Sequence, residues 1–174
     1  WDFGDPVSGA ANASTQTNAS HQYSSPGTYT VRLISRFPAG NQASSIQQII
    51  VLGVTTNLDQ PIKCNEDANA VLSVNAAGGT DPYNFEWSTS PPQFTQSISN
   101  VAAGNYTVTV SSGNACITTA TILVAEPEKI TATFNKEDEI CSANNGLINT
   151  TLLGGTAPYT YTWSNGDTDN SISG

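Results

Sequence analysis

The sequence has little positive charge and none of the long apolar runs that enter membranes. Five Lys and Arg residues stand against fourteen Asp and Glu, which gives a formal net charge of −9. Because proteins hold nucleic acid through Lys and Arg side chains that neutralise phosphates, this balance argues against a nucleic-acid partner. No apolar run approaches the roughly 20 residues of a spanning helix, and the start of the chain shows no signal-peptide pattern. We therefore expect no membrane insertion.

Histidine is also scarce, which limits the chemistry available for catalysis. His21 is the single histidine, and no nucleophile-elbow motif supports a Ser-His-Asp arrangement. The two catalytic carboxylates of a glycosidase can be distant in sequence and close only in the folded protein, so a sequence alone never excludes them. The densest acidic stretch, Glu137 to Glu139 next to Lys136, favours a solvated loop. We predict no catalytic or cofactor-binding residue and a protein that is not an enzyme.

The chain contains an internal repeat. "GGTDPYNFEW", from Gly78 to Trp87, returns 76 positions later as "GGTAPYTYTW", from Gly154 to Trp163. "VTTNL", which begins at Val54, parallels "ITATF", which begins at Ile130. This repetition predicts two copies of one structural unit.

The second copy is shorter than the first. "SIS" at 97–99 returns at 171–173, but no later segment matches "AAGNYTVTV" at 102–110 or "CITTATILV" at 116–124. We therefore expect the last unit to be incomplete and to lack two of its strands.

Alternating residues predict β-strands throughout the chain. Aromatic or aliphatic residues alternate with polar residues in three stretches: Tyr83/Phe85/Trp87, Tyr106/Val108/Val110 and Tyr159/Tyr161/Trp163. Gly-Gly before the stretches that begin at Tyr83 and Tyr159 allows a turn with positive φ, and the Pro directly before each of these tyrosines fixes the entry into the strand. No window has a helical period, and the stretch from Ser8 to Ser20 is predicted to be a long loop. The sequence predicts an all-β chain.

The front of the chain contains a third related unit. "PGTYTVRL" at 26–33 shares its G-x-Y-T-V core with "AGNYTVTV", and Trp1 precedes it much as Trp87 precedes the other. Immunoglobulin-like sandwiches bury a Trp of strand C and place a Tyr near the start of strand F. We predict tandem immunoglobulin-like β-sandwiches at 1–53, 54–127 and 128–174, the first and last incomplete. The predicted core residues are Trp1, Tyr29, Trp87, Tyr106 and Trp163.

The front unit resembles a PKD domain. The resemblance is carried by "WDFGDP" at 1–6 and "HQYSSPGTYTVRL" at 21–33, and Pro6 stands where that family usually has Gly. It covers about residues 1–53 and gives His21 a structural place beside a strand F Tyr. PKD-like modules commonly accompany secreted degradative enzymes.

The rest of the chain resembles the SprB-type repeat of large surface adhesins of gliding Bacteroidetes. The matching elements are an early Cys, the G-G-T-x-P-Y-x-F/Y-x-W segment, A-G-x-Y-T-V-T-V, a Cys opening the last strand, and a Glu-Pro linker. They lie at Cys64, Gly78–Trp87, Ala103–Val110, Cys116 and Glu126-Pro127, and the second copy matches from Cys141 through Trp163 to "WSNGDT". The resemblance implies an extracellular, type IX-secreted, tandem-repeat protein of the cell surface. Its implied partners are type IX secretion and gliding machinery proteins.

Three cysteines are an odd number for a secreted protein. Cys64 and Cys141 occupy equivalent positions in the two copies, so a partner of Cys141 is expected beyond Gly174. We predict a disulfide between Cys64 and Cys116, which would close a loop of about fifty residues and contribute ~4 kcal/mol in the loop-entropy treatment. Three buried thiols in a reducing compartment are the alternative.

Acidic residues supply oxygen ligands of the kind that Ca²⁺ prefers. They lie at Asp2 and Asp5 and in the stretches 65–67 and 137–139. No EF-hand spacing is present, and the cysteines lack the CxxC spacing and histidine support of a zinc site. We predict no metal-binding residue and leave calcium as an open alternative.

The pattern of repeated sandwiches predicts a mechanical role. Strands of six to eight residues span ~20–27 Å, so a row of such units extends a protein away from the cell. We expect a non-catalytic repeat region of a secreted surface adhesin or filament that attaches to a surface polysaccharide or substratum. The alternatives are an accessory region of a secreted polysaccharide- or protein-degrading enzyme, and a carbohydrate-binding module. The last predicts exposed aromatic stripes, whereas strict alternation favours their burial.

Overall fold

The computed structural model describes residues 1–113, 115–141 and 145–173. One 3₁₀ segment, Pro6–Asn12, precedes eleven β-strands in the described residues. The strands are β1 (Gly27–Arg36), β2 (Gln42–Val51), β3 (Gly53–Gln60), β4 (Ala70–Ala77), β5 (Asn84–Trp87), β6 (Ser97–Val101), β7 (Gly104–Ser111), β8 (Ile117–Val124), β9 (Thr131–Glu137), β10 (Leu147–Leu153) and β11 (Ser171–Ser173). The predicted all-β class is confirmed.

The strands form four small sheets. The front of the chain contributes the antiparallel pair β1-β2, and the end of the chain contributes the sheet β11-β10-β9. Between them, the sheets β3-β4-β6 and β5-β7-β8 are each three-stranded. Two sheets built from interleaved strands are the arrangement of a β-sandwich.

The chain divides into two compact units. The first comprises residues 1–57, 72–98 and 105–122, and the second comprises 58–71, 99–104 and 123–174. In the first unit the largest fully buried side chains are Leu72, Val74, Trp87, Val108 and Val110. In the second unit the buried hydrophobic residues are Ile62, Ala70, Val101 and Val124. The boundaries 1–53, 54–127 and 128–174 stay a prediction.

The pairing of β5 with β7 places Trp87 beside a buried valine. Phe85 lies opposite Val110, and Trp87 lies opposite Val108. Residues opposite each other across an antiparallel pair point to the same face, and Trp87 is only 1% exposed. A ring that buries ~150–250 Å² at ~25 cal/mol per Å² contributes a few kcal/mol to folding.

The predicted loop from Ser8 to Ser20 is wrong in its first part. Residues Pro6–Asn12 form 3₁₀ turns, interrupted at Gly9, where φ is 60°. Pro6 presets the backbone for a first helical turn, and the amide of Ser8 donates to the Asp5 carbonyl at 3.1 Å. A 3₁₀ stretch this short has too few turns to leave a periodic pattern in the sequence.

The predicted strand at Tyr159–Trp163 is also wrong. These residues follow the same type of turn as β5 but lie outside any strand. A strand is defined by its hydrogen-bonded partner, which for β5 is β7. Among the described residues after Trp163, the one strand is β11, and it pairs with β10.

Candidate functional site

The repeated sequence forms a repeated turn. Gly78 and Gly79 have φ of 73° and 75°, and Gly154 and Gly155 have φ of 76° and 68°. The hydroxyl of Tyr83 donates to the Gly78 carbonyl. In the second copy the hydroxyl of Tyr159 donates to the Gly154 carbonyl at 2.6 Å. Each Gly-Gly turn is therefore closed by the first aromatic ring after it.

The tryptophans of the two copies also make matching hydrogen bonds. The indole Nε1 of Trp87 donates to the Thr95 carbonyl at 3.0 Å. The indole Nε1 of Trp163 donates to the Asp169 carbonyl at 2.8 Å. In both copies the tryptophan indole is thus hydrogen-bonded to the loop that follows it. The two copies therefore share local structure as well as sequence.

The two copies differ in what covers the aromatic residues. Trp87 is buried, whereas Trp163 is half-buried. Beside Trp163 lies Phe134, which is 65% exposed, with ring centroids 6.1 Å apart in an edge-to-face arrangement. An apolar groove of about 440 Å³ opens here. Its lining includes Ala132, Phe134, Leu152, Tyr159, Tyr161 and Trp163, and we call it the last-repeat groove.

The other predicted core residues are half-buried. Trp1, Tyr29 and Tyr106 each have intermediate exposure. The Tyr29 hydroxyl donates to the Ser25 carbonyl at 2.8 Å, which is the backward bond of a strand F tyrosine. The indole Nε1 of Trp1 donates to the Gln16 carbonyl at 3.0 Å.

His21 belongs to a small buried network that sequence reasoning only partly found. Its Nε2 lies 2.9 Å from Asp5 Oδ2, and both side chains are 5% exposed. The Phe3 ring stacks on the imidazole at a centroid distance of 4.6 Å, and the Tyr23 ring meets its edge at 4.6 Å. The 3₁₀ segment contributes Asn12, whose Oδ1 accepts from the Asp5 amide at 2.6 Å. The spacing of Asp5 and His21 in sequence gave no signal for this pairing.

Tyr23 also belongs to this network, and the pKa of its phenol is raised. Burial raises the pKa of its phenol, and the nearby Asp5 charge and Tyr29 raise it further. Its hydroxyl donates to the Phe3 carbonyl at 3.0 Å. The raised pKa keeps the Tyr23 phenol protonated beside Asp5.

The cysteines lie at different depths. Cys64 and Cys141 are exposed, and Cys116 is half-buried. Cys64 and Cys116 are thiols in the structure, so the predicted disulfide between them stays a prediction.

The acidic residues considered for calcium make other contacts. Asp2 Oδ1 accepts from the Gly4 amide at 3.0 Å and from Asn12 Nδ2 at 3.2 Å, while Asp5 is engaged with His21. Lys136 Nζ lies 2.8 Å from Asp138 Oδ1 in an exposed pair. Within the part of the chain that the structure describes, no group of three His, Cys, Asp or Glu residues could hold a metal ion.

The fold and the repeated turn define a tandem-repeat protein of β-sandwich units. A family model for the PKD domain matches residues 1–51, and a family model for the SprB repeat matches residues 59–92 and again 133–168. The chain therefore contains a PKD domain, which is immunoglobulin-like, followed by SprB repeats. The predicted family resemblance and fold class are confirmed. No curated protein matches the chain.

The two families indicate the general class of function of this chain. PKD domains and SprB repeats are typical of extracellular or cell-surface proteins, and they are typically non-catalytic modules. The chain is thus a surface-adhesin-like repeat region. Over residues 1–113, 115–141 and 145–173, no helix is long and apolar enough to cross a bilayer.

Proposed function

We propose that this region extends and attaches a large secreted cell-surface adhesin, exported by a type IX system and used in gliding motility. The support comes from the SprB repeat family and from the hydrogen-bonded linker between the two copies. Such a region needs joints that resist folding back, since each unit adds length only if its neighbour continues away from it.

The linker at Glu126-Pro127 is held by hydrogen bonds on both of its sides. The Glu66 amide donates to Glu126 Oε2 at 2.6 Å, and Asn65 Nδ2 donates to the Pro127 carbonyl at 3.3 Å. On the other side the Gly155 amide donates to the Glu128 carbonyl at 2.7 Å. Hydrogen bonds of this kind contribute about 0.5–1.5 kcal/mol each, so the linker has restricted freedom. This is the single observation that carries the mechanical role.

Surface exposure and attachment test the proposal directly. Antibodies against this chain should label intact cells of the parent organism, and deletion of the repeats should reduce attachment and spreading. Labelling that appears only after lysis would contradict a surface role. Normal attachment and spreading of the deletion strain would contradict the adhesin role.

Carbohydrate binding is the second candidate function. It is favoured by the half-exposed rings of Tyr159, Tyr161 and Trp163, because aromatic faces stack on sugar rings. A glycan array with the whole chain tests it: a specific glycan signal that is lost in Trp163→Ala supports this candidate, and a blank array removes it.

A further inference from the structure

The PKD domain is joined to the strands that follow it by a very short connection. Its last strand, β2, ends at Val51, and β3 begins at Gly53. Leu52 is therefore the one residue between the two strands, and residues 50–54 are all half-buried. We call strands β3 to β8 the middle repeat. Tandem domains usually move relative to one another unless specific contacts hold them, and a hinge in this connection has to lie at Leu52.

The Gly78-Gly79 turn of the middle repeat lies against the end of the PKD ladder. Gly27 and Val51 form the last pair of residues between β1 and β2. A Cβ added at Gly78 would overlap the Val51 carbonyl oxygen and lie 2.8 Å from the Gly27 amide nitrogen. A Cβ added at Gly79 would lie 3.3 Å from Leu52 Cδ1. The turn therefore contacts both the terminal pair of the ladder and the connecting residue.

A second close approach lies at the start of β3. A Cβ added at Gly53 would overlap the ring of Pro26, whose own Cβ would be 2.8 Å away. Gly53 does not have a positive φ, so its backbone conformation does not require glycine. A glycine in a strand often marks a place where another part of the chain approaches closely. Here the approaching group is the proline that precedes β1 of the PKD domain.

The Gly-Gly turn of the last repeat has the same relationship to the chain that enters that repeat. Val51 lies two residues before β3, and Lys129 lies two residues before β9. A Cβ added at Gly154 would overlap the Lys129 carbonyl oxygen, just as one at Gly78 would overlap that of Val51. Positive φ alone needs no such neighbour, since Gly40 has positive φ and nothing lies within 4 Å of its added Cβ. The repeated contact therefore indicates a second role for the turn.

We propose that the Gly-Gly turn of the repeat is a docking surface for the chain segment that enters it. In the middle repeat its occupant is the end of the PKD ladder, Val51 with its partner Gly27. The turn accepts main-chain atoms, because its glycines leave no space for a side chain at the contact. The PKD domain and the middle repeat are thereby held as one stiff pair. The purpose of this stiffness rests on the proposed extension of the adhesin, whereas the docking itself does not.

Residual dipolar couplings of the whole chain test the joint without any substitution. Amides of β1 and β2 report the orientation of the PKD domain. Amides of residues 72–77, 84–87 and 105–111 report that of the middle repeat, and all these residues belong to the first compact unit. We expect one alignment tensor to fit both sets of couplings. Two different tensors would show that the modules move independently and would overturn the proposal.

Two glycine-to-alanine substitutions provide matched variants, since neither position has positive φ. Gly53→Ala places a methyl group against Pro26, so we expect it to abolish the common tensor while the strands of both modules remain paired. Gly146→Ala is the control, because the nearest atoms to its added Cβ lie at 3.8–3.9 Å, which is ordinary contact. It should keep the common tensor. A common tensor in Gly53→Ala would show that this contact does not hold the joint.

A double variant covers the case in which Gly53→Ala unfolds the PKD domain and the amide signals of β1 and β2 lose their dispersion. Pro26→Gly in the same chain removes the ring that the methyl group meets, so the double variant should recover both the dispersion and the common tensor. Without that recovery, Gly53 would serve the folding of its own strand, and the joint would be wrong. None of these measurements bears on surface exposure or attachment, so failure of the joint and failure of the proposed function are distinguishable.

Discussion

Asp5 and His21 form a buried pair, with Oδ2 and Nε2 2.9 Å apart and both side chains 5% exposed. The pair links the 3₁₀ region to the segment before β1, and Phe3 packs on the imidazole. A buried polar group that loses its hydrogen-bond partner keeps its full desolvation penalty. Removing either side chain of this pair should therefore lower the stability of the fold substantially.

We expect Asp5→Ala to destabilise the PKD domain by about 1–3 kcal/mol, since it leaves the imidazole of His21 buried without its partner. Asp59→Ala is the control, because Asp59 is exposed on β3. Urea denaturation followed by NMR signals of residues 1–36 measures both. Equal midpoints for the two variants would show that the pair contributes nothing.

The Tyr23 phenol predicts a loss of stability in alkali. Its pKa is raised in the folded state, first by burial and then by Asp5 and Tyr29, whereas an unfolded tyrosine titrates near about 10. The folded state therefore holds this proton more tightly than the unfolded state does. The resulting stability is complete below about pH 10 and is lost as the pH rises through the folded pKa.

Tyr23→Phe removes that titration. We expect the variant to lose about 0.5–1.5 kcal/mol at neutral pH, through its hydrogen bond to the Phe3 carbonyl, and to show a shallower fall above about pH 10. Unfolding free energies between pH 8 and 11 test this, with Tyr161→Phe as the control. If the free energy of unfolding of Tyr23→Phe falls above about pH 10 as steeply as that of the unsubstituted chain, another group is responsible for the loss of stability in alkali.

Sequence reasoning predicted the strand Gly104–Ser111 well. Tyr106, Val108 and Val110 alternate, and β7 forms there because β5 and β8 flank it. The same alternation at Tyr159–Trp163 did not produce a strand, since alternation reports which face is apolar and carries no information about a partner.

The Asp5–His21 pair was beyond sequence reasoning for a different reason. Its two residues approach because the chain between them turns through Pro6–Asn12 and returns. That path depends on local hydrogen bonds such as the one from the Asp5 amide to Asn12 Oδ1. An isolated polar contact produces no periodic pattern in the sequence. The PKD resemblance gave His21 a structural place without identifying its partner.

The Gly-Gly turns predict that glycine-to-alanine substitutions at different positions will lower the stability of the chain by different amounts. A Cβ at Gly78 would lie 2.0 Å from the Val51 carbonyl oxygen, and one at Gly154 would lie 2.2 Å from that of Lys129. Gly40 also has positive φ, at 85°, but nothing lies within 4 Å of its added Cβ. Gly40→Ala should therefore cost only the left-handed strain of about 1–2 kcal/mol.

Gly78→Ala and Gly154→Ala should each cost clearly more than Gly40→Ala, because backbone atoms have to move as well. Thermal denaturation of the three variants gives the ranking. Similar melting curves for all three would show that the turns relax around the methyl group.

The predicted disulfide can be tested without mutagenesis. Peptide mapping of protein secreted by the parent organism, digested without reduction, should give a linked pair containing Cys64 and Cys116. Such a bridge closes a loop of about fifty residues, and its reduction should lower the free energy of unfolding by up to ~4 kcal/mol. Alkylation of both cysteines before reduction would contradict the pairing.

The two repeat tryptophans should respond differently to truncation and to quenchers. Trp87 is 1% exposed, so Trp87→Ala should cost about 3–5 kcal/mol through lost burial and a cavity. Trp163 is half-buried beside an open groove, so Trp163→Ala should cost less than half as much. In single-tryptophan variants made with Phe, acrylamide should quench Trp163 readily and Trp87 weakly. Equal quenching would mean that Trp163 is covered in solution and would contradict this prediction.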